Sequence, residues 1–406
     1  MKKILLLVLL ISILFAAPRG YHPIFTNESN ATAYDWNAIK SKQINTRALL
    51  MAAFDSTYYK KNTTIPQLEH YTKADIRGVR LGAGGTLNFK RPWLYLISGS
   101  INSFAKDFNS STQDHFTLYD ALLDIPLYNR YARMQVGRMK EPISMERLMG
   151  MVFEQVMERP MHLETFTTTR SDGISFSNVY FSAHGTFRSG LFSSDQNFVW
   201  ATRATILPYL NIKKHHLIHL GISYRYEKLH NNKISLNVKP EQHFVKPILT
   251  TDTILANSDD TWNFEFTYLH NSLWIAAEYT AKYIHTLHNS NLFFYGFHTS
   301  FSYFITGEKR GYNKRFGVVR RIRPKIDFND GGLGALEFAY RYSYINLNDK
   351  NTNAGTMDIH SIGAIWHATY GTQLHLQFTR ANPKVSTLDG VDPLDSIQLR
   401  FVIIID

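Results

Sequence analysis

Apolar and polar residues alternate with a period of two along most of this chain. From Ile218 to Tyr226 the even positions are Ile218, Leu220, Ile222, Tyr224 and Tyr226, and the odd ones His219, Gly221, Ser223 and Arg225. Leu336, Phe338, Tyr340, Tyr342 and Tyr344 alternate in the same way with Glu337, Ala339, Arg341 and Ser343. Leu374, Leu376 and Phe378 oppose His375, Gln377 and Thr379, and a last apolar face runs Ile397, Leu399, Phe401, Ile403, Ile405 opposite Gln398 and Arg400. Successive strand residues point to opposite faces, so these segments predict strands with one apolar and one polar side. Turn signals stand at Ala83-Gly84-Gly85, Asn329-Asp330-Gly331-Gly332 and Tyr370-Gly371-Thr372. Longer polar stretches lie at 227–237, 247–260, 346–357 and 381–393. From residue 75 to 406 no linker interrupts the pattern, which predicts one all-β domain. Residues 18–74 read as a less regular N-terminal segment.

Such strands need two different surroundings. In a soluble sandwich the polar face meets water and the apolar face a protein core. In a transmembrane antiparallel β-barrel the apolar face meets lipid and the polar face lines a wet lumen. Periodicity fits both. Composition tilts the reading toward the barrel: 14% of residues are aromatic, with 23 Tyr and 27 Phe, while mean hydropathy is only −0.23. Tyrosine concentrates at membrane interfaces, and one-sided strands average out in hydropathy. The segments are also as long as the about 9 to 11 residues that a membrane strand needs.

The start of the chain sets the compartment. Met1-Lys2-Lys3 precedes an apolar run from Ile4 to Phe15, broken only by Ser12, and then Ala16-Ala17. This is the layout of a cleaved signal peptide over residues 1–17, and the run is shorter than the about 20 residues of a membrane-spanning helix. The formal charge is +11, or +9 without Lys2 and Lys3, which makes an anionic partner plausible. There is no cysteine in 406 residues, so thiolate metal sites and cysteine nucleophiles are excluded.

Several motifs then resemble one family. Val136-Gly137-Arg138-Met139-Lys140-Glu141-Pro142, followed by Met145-Glu146, is similar to a strand end of the phosphate-selective porins of the O/P type. Asp120-Ala121 resembles the start of the same hairpin, and Met157-Glu158-Arg159 with Arg170 to Gly173 its next segment. Tyr303-Phe304-Ile305-Thr306-Gly307-Glu308-Lys309-Arg310-Gly311-Tyr312 is the most specific match, extended by Arg323-Pro324 and by Leu336 to Asn348. The resemblance implies a 16-stranded outer-membrane barrel of a Gram-negative bacterium, with one loop folded into the lumen. It also implies a homotrimer in outer-membrane lipid that passes inorganic anions, phosphate first among them, without a cofactor. By position it places Arg138 and Lys140 among the basic residues of the pore, and Arg77 and Arg80 loosely on a basic early strand. The family's barrels usually end on an aromatic residue, whereas this chain ends on Asp406.

The residues support part of this independently. Arg138 and Lys140 are two apart, and so share a strand face, just before Pro142 removes a ladder donor and turns the chain. Two cations there make a partial anion site on an inner wall. Arg203, Arg225 and Arg341 oppose aromatics, and a lipid-facing arginine near the midplane costs about 2–4 kcal/mol, so they belong in the lumen. Arg170 and Arg159 belong to the inward loop or brace it. His215 and His219 stand about 13 Å apart along a strand, too far for one metal ion. No catalytic constellation has a recognisable context, and nucleic-acid binding does not fit an exported aromatic barrel. A barrel whose long loops bind a surface ligand stands as the alternative function.

Overall fold

The computed structural model describes residues 39–40, 43–60, 71–101, 116–128, 131–288, 290–385 and 392–405. The expected leader at 1–17 lies outside them. Sixteen long strands account for the sheet: β1 Ile44–Tyr59, β2 Tyr71–Leu87, β3 Trp93–Ile101, β4 Thr117–Pro126, β5 Arg133–Met139, β6 Ser171–Tyr180, β7 Gly185–Ser194 and β8 Asn197–Asn211. The second half is β9 His216–Lys228, β10 Ile254–His270, β11 Leu273–Thr286, β12 Leu292–Phe304, β13 Ala335–Asp349, β14 Thr352–His367, β15 Thr372–Lys384 and β16 Leu394–Ile405. Each strand pairs antiparallel with its chain neighbour. The last pairs with the first, from Leu50↔Ile405 to Tyr59↔Ser396, which closes the sheet into a 16-stranded barrel. Across this seam Arg400 faces Asp55 and donates to both its carboxylate oxygens, at 2.6 and 2.7 Å.

The alternation resolves into faces, and their exposure decides between sandwich and barrel. Ile397, Leu399, Phe401 and Ile403 are 39–50% exposed, while Gln398 and Arg400 are each 1% exposed. Leu376 and Phe378 are likewise exposed above buried His375, Gln377 and Thr379. Apolar residues outside and charged residues inside is the reverse of a water-soluble domain, and it is the pattern of a lipid-facing barrel.

Two expectations are corrected. Ala83-Gly84-Gly85, expected as a turn, lies within β2 and pairs with β1 and β3. The barrel begins at Ile44, not at residue 75, so β1 lies within the segment read as irregular. Its alternation was hard to read because its inward face is itself partly apolar. Met51 and Ala53 pack there against Met151, Val152 and Phe153 of an inward loop.

That loop, 140–170, carries two short helices, α1 Met145–Leu148 and α2 Met161–Phe166. Ser144 caps α1 by accepting from the Arg147 N–H at 3.0 Å. Gly296 of β12 lets α2 approach the wall, since a Cβ there would lie 2.5 Å from the Cβ of His162. The expected inward loop is joined by two further segments. Residues 229–253 bury Leu236, Val238, Val245 and Leu249 against Met161 and Phe166 and against wall residues such as Ile345 and Met357. Residues 305–334 enter from the opposite rim, where Val318 and Val319 pack with Met145, Leu217 and Trp274. The barrel thus contains apolar cores inside its own lumen. Burial of those side chains holds the three segments in place.

Candidate functional site

The inner wall falls into two regions that differ in how their arginines are partnered. Over β8 to β16 nearly every arginine is matched by carboxylates and dry. Arg203 donates to both oxygens of Glu265 at 2.8 and 2.6 Å, and to the carbonyls of Phe316 and Gly317 at 2.9 and 2.8 Å. Arg225 donates to Glu141 and to Glu227, both at 2.6 Å. Arg341 donates to Glu146 and to the Glu158 carbonyl, and Arg310 holds Glu337 at 2.7 and 2.6 Å. The side chains of Arg203, Arg225 and Arg341 are only 3%, 1% and 1% exposed. The sequence-predicted trio does lie in the lumen, but each member ties an inward segment to the wall.

Over β2 to β7 the balance differs. Asp120 is shared by two guanidinium groups, Arg80 at 2.5 Å and Arg170 at 3.0 Å, and Ser98 Oγ also donates to it. Both guanidiniums stand over the Tyr119 ring, 4.8 and 3.5 Å from its centroid, which adds cation–π attraction. Four residues on, about 13 Å along the strand, Asp124 is shared by Arg133 and by Arg315 of the 305–334 segment. Each cluster keeps one positive charge in excess. Arg80 and Arg315 are 18% and 25% exposed, so water reaches this side of the lumen. Two further cations have no carboxylate within 4.0 Å among the described residues. Lys140 donates to the carbonyls of Leu148 and Met149 at 3.1 and 2.6 Å. Arg188 donates to Ser175 Oγ, to Met139 Sδ and to the Lys140 carbonyl. Burial, and then Arg170 and Arg159 nearby, push the Lys140 ammonium well below its usual range.

Arg138 and Lys140, expected on one face, are separated. Val136 and Leu123 pair across β4–β5 on the outer face, and Arg138 continues that parity. It is 30% exposed and pairs with Asp172 at 3.3 Å. Gly137 takes φ +117 beside it, and β5 ends at Met139, so Lys140 turns inward beyond the alternation. Arg77 does face inward, because a bulge between Ala53 and Phe54 leaves it unopposed; it donates to Glu158 at 3.2 and 3.1 Å. Sequence reasoning did not single out Asp124, Arg133, Arg188 or Arg315, and it named Arg400 only as part of a polar strand face. A faint signal was present, since Asp120 and Asp124, and Arg133 and Gln135, each keep one strand parity.

The loop carboxylates show how unlike the lumen is to bulk water. Burial raises Glu154 to about 8 and Glu241 to about 7. Burial also opposes the charge of Glu146, but Arg341 and His298 outweigh it and hold that carboxyl at about 2. Among the described residues no group of three His, Asp or Glu is placed to hold a metal ion. His219 is occupied by Tyr312 and Glu265.

The comparisons agree with this architecture. The chain is 20% identical to Porin O of Pseudomonas aeruginosa over 385 residues, covering 84% of this chain and 83% of that one. It is 35% identical over 105 residues to an uncharacterized protein of Caulobacter vibrioides, a match that covers 26% of this chain and a fifth of that relative. Among solved structures it resembles OmpT of Vibrio cholerae, with a TM-score of 0.57 at 8% identity, over 91% of this chain and all of that one. It also resembles the anion-selective porin of Comamonas acidovorans, with a TM-score of 0.55 at 10% identity, over 89% and 100%. The family model for phosphate-selective porins O and P matches residues 45–401. With an inside-out barrel and a family match across nearly all of it, this chain belongs to the phosphate-selective porin O and P family and is a channel of the Gram-negative outer membrane.

Proposed function

We propose that anions, with phosphate and related oxyanions as the physiological cargo, diffuse passively through the β2–β7 side of the lumen. The observation that carries this reading is the pairing of two arginines with one aspartate at Asp120 and again at Asp124, where one arginine of each pair, Arg80 and Arg315, meets water. A permeating anion meets a net positive wall there. Arg188, with no carboxylate within 4.0 Å among the described residues, continues it, while Lys140, its charge disfavoured by burial, is held by the Leu148 and Met149 carbonyls. Arginine offers oxyanions a planar pair of donors, and lysine acts as a point charge. Arg80 and Arg170 belong to this wall, whereas Arg77 is matched by Glu158 and Asp55 and braces the inward loop. Arg203, Arg225 and Arg341 act by holding the constricting segments, and Arg138 serves on the outer face, where its carboxylate partner is Asp172.

The alternative, a barrel whose long loops take a surface ligand, is disfavoured by the 229–253 segment, which folds inward and buries its apolar side chains. A homotrimer in outer-membrane lipid is part of the proposal, as in the trimer form of V. cholerae OmpT. The test is the reversal potential of single channels across a tenfold salt gradient, wild type against Arg188→Gln. A drop in the anion-to-cation ratio is expected at low salt, where screening is weak. An unchanged ratio would place selectivity elsewhere.

A further inference from the structure

The two rims of the barrel differ in charge. Strands β1 and β16 bring both barrel ends, Ile44 and Ile405, to one rim, which also holds the turns 88–92, 127–132, 181–184, 212–215, 271–272 and 368–371. Short turns mark the periplasmic rim of such barrels. The inward segment 305–334 springs from that rim as well. Among the described residues the seven connections of that rim contain twelve lysines and arginines against three carboxylates, Glu308, Asp327 and Asp330. The described residues in the eight connections of the other rim balance, nine against nine. Some of the short-turn rim's cations reach inward, since Arg310 and Arg315 pair with Glu337 and Asp124 of the wall, while Lys90, Lys213, Lys214 and Lys309 stand exposed at the periplasmic mouth.

The same rim is apolar on its outer edge. Five of the seven connections expose a large apolar side chain: Phe89, Tyr128, Phe181, Ile212 and, most of all, Leu333 at 82%. The 305–334 segment is fixed there by structure and not by chance. Trp366 Nε1 donates to the Leu333 carbonyl at 2.8 Å, and Phe328 packs edge-on to Trp366 at 5.4 Å while its N–H donates to Ala368. These side chains continue the lipid-facing belt of Phe338, Tyr303 and Phe301 down to the rim. Lys90, Lys213, Lys214 and Lys309 are exposed in the same turns.

Apolar side chains at the edge of a lipid belt, with lysines just beyond them, form a surface for negatively charged headgroups. We infer that the short-turn rim binds anionic phospholipid of the adjoining leaflet. The apolar side chains enter the acyl boundary, and the lysines contact headgroup phosphates. This rests on the barrel and its rim assignment, and is independent of anion selectivity in the pore.

The test uses the full-length mature chain in vesicles of phosphatidylcholine, alone or mixed with phosphatidylglycerol. Native mass spectrometry reads which lipid the released barrel retains. Wild type is expected to retain phosphatidylglycerol over phosphatidylcholine, less so as salt rises. The variant Lys90→Gln, Lys213→Gln, Lys214→Gln, Lys309→Gln should lose about tenfold of that preference, since each basic group near a charged leaflet contributes separately. None of these four side chains packs in the lumen, so the barrel should fold, and heat-modifiable migration checks that it does. Equal retention by wild type and variant would overturn the inference. So would a variant that leaves lipid preference intact and shifts the reversal potential in neutral bilayers, which would make the rim a collector of permeating anions. Binding to purified peptidoglycan lost in the variant, with no lipid preference in either protein, would overturn the choice of partner.

Discussion

Replacing Asp120 with asparagine should make the channel more anion-selective, although it removes a partner from two arginines. In the native cluster Arg80 and Arg170 contribute two positive charges and Asp120 one negative, at 2.5 and 3.0 Å. Asparagine keeps the shape and deletes the negative charge, so the local excess rises from one to two. An anion passing about 5 Å from the former carboxylate is relieved of a repulsion of about 0.8 kcal/mol in a water-like medium and about 3 kcal/mol at an effective dielectric near 20. Those limits correspond to roughly fourfold and over a hundredfold in relative anion occupancy, and the wet side of Arg80, 18% exposed, favours the lower half. Some stability is lost, because a buried pair broken on one side costs about 3–5 kcal/mol and this one is partly solvated. The assay is the reversal potential across a tenfold potassium chloride gradient at low salt, with heat-modifiable migration confirming a folded barrel. A folded Asp120→Asn channel with the wild-type ratio, or a lower one, would refute the claim that ions pass within reach of this cluster.

Other consequences can be checked in the same system. Arg203→Ala removes four hydrogen bonds, two of them to the 305–334 segment, so that segment should loosen, and single-channel conductance should rise and become noisier. The variant should also melt lower, since Glu265 is left buried without its arginine and such breakage costs about 3–5 kcal/mol; unchanged conductance and melting would contradict the anchoring role. Glu241, which accepts from the Met161 N–H at 2.9 Å, links the two inward loops and is raised by burial from 4.5 to about 7. The folded state therefore holds the extra proton between those values, and stability should fall as pH rises through that window, by about 3 kcal/mol once deprotonation is complete. Glu241→Gln should flatten that dependence in denaturation measured across the pH range, and a slope that survives the substitution would assign it to another group.

How much of this was legible in the sequence depends on which surface a residue faces. The lipid side is a uniform solvent, so Ile397 to Ile405 and Leu336 to Tyr344 announce their strands with clean apolar parity. The lumen is not uniform. Where a loop presses on it, as at Met51 and Ala53, the inner face turns apolar and the parity contrast that would have revealed β1 fades. Arg138 and Lys140 were assigned one face by counting in twos, and the count failed at a positive-φ glycine and a strand end. Inward folding of 229–253 had a trace in the sequence, since Leu236, Val238, Val245 and Leu249 are costly to expose in a polar loop. The long-range pairing of arginines with carboxylates had none. Arg400 and Glu158 are 242 residues apart, and Arg341 and Glu146 195. Only the closed barrel brings them together.

That absence matters for function, because an arginine count on the inner wall does not measure selectivity. A buried guanidinium with its own carboxylate presents little net charge to an ion in the pore, and its main contribution is to hold two pieces of chain in register. Arg225, between Glu141, Glu227 and Asp259, is surrounded by more negative charge than it carries. Arg80 and Arg170, sharing Asp120, are in the opposite condition. The barrel thus contains two populations of the same residue, told apart by the number of carboxylates within reach and by contact with water. The matched population lets three inward segments pack apolar cores inside a wet channel. On the proposed reading, that packing narrows the lumen from the β8–β16 side, and anions pass along the under-compensated wall of β2 to β7. Selectivity in this reading comes from the constriction and the charge imbalance together: the same cations along a wide, well-screened bore would discriminate weakly, because at physiological ionic strength their influence fades over about 8 Å.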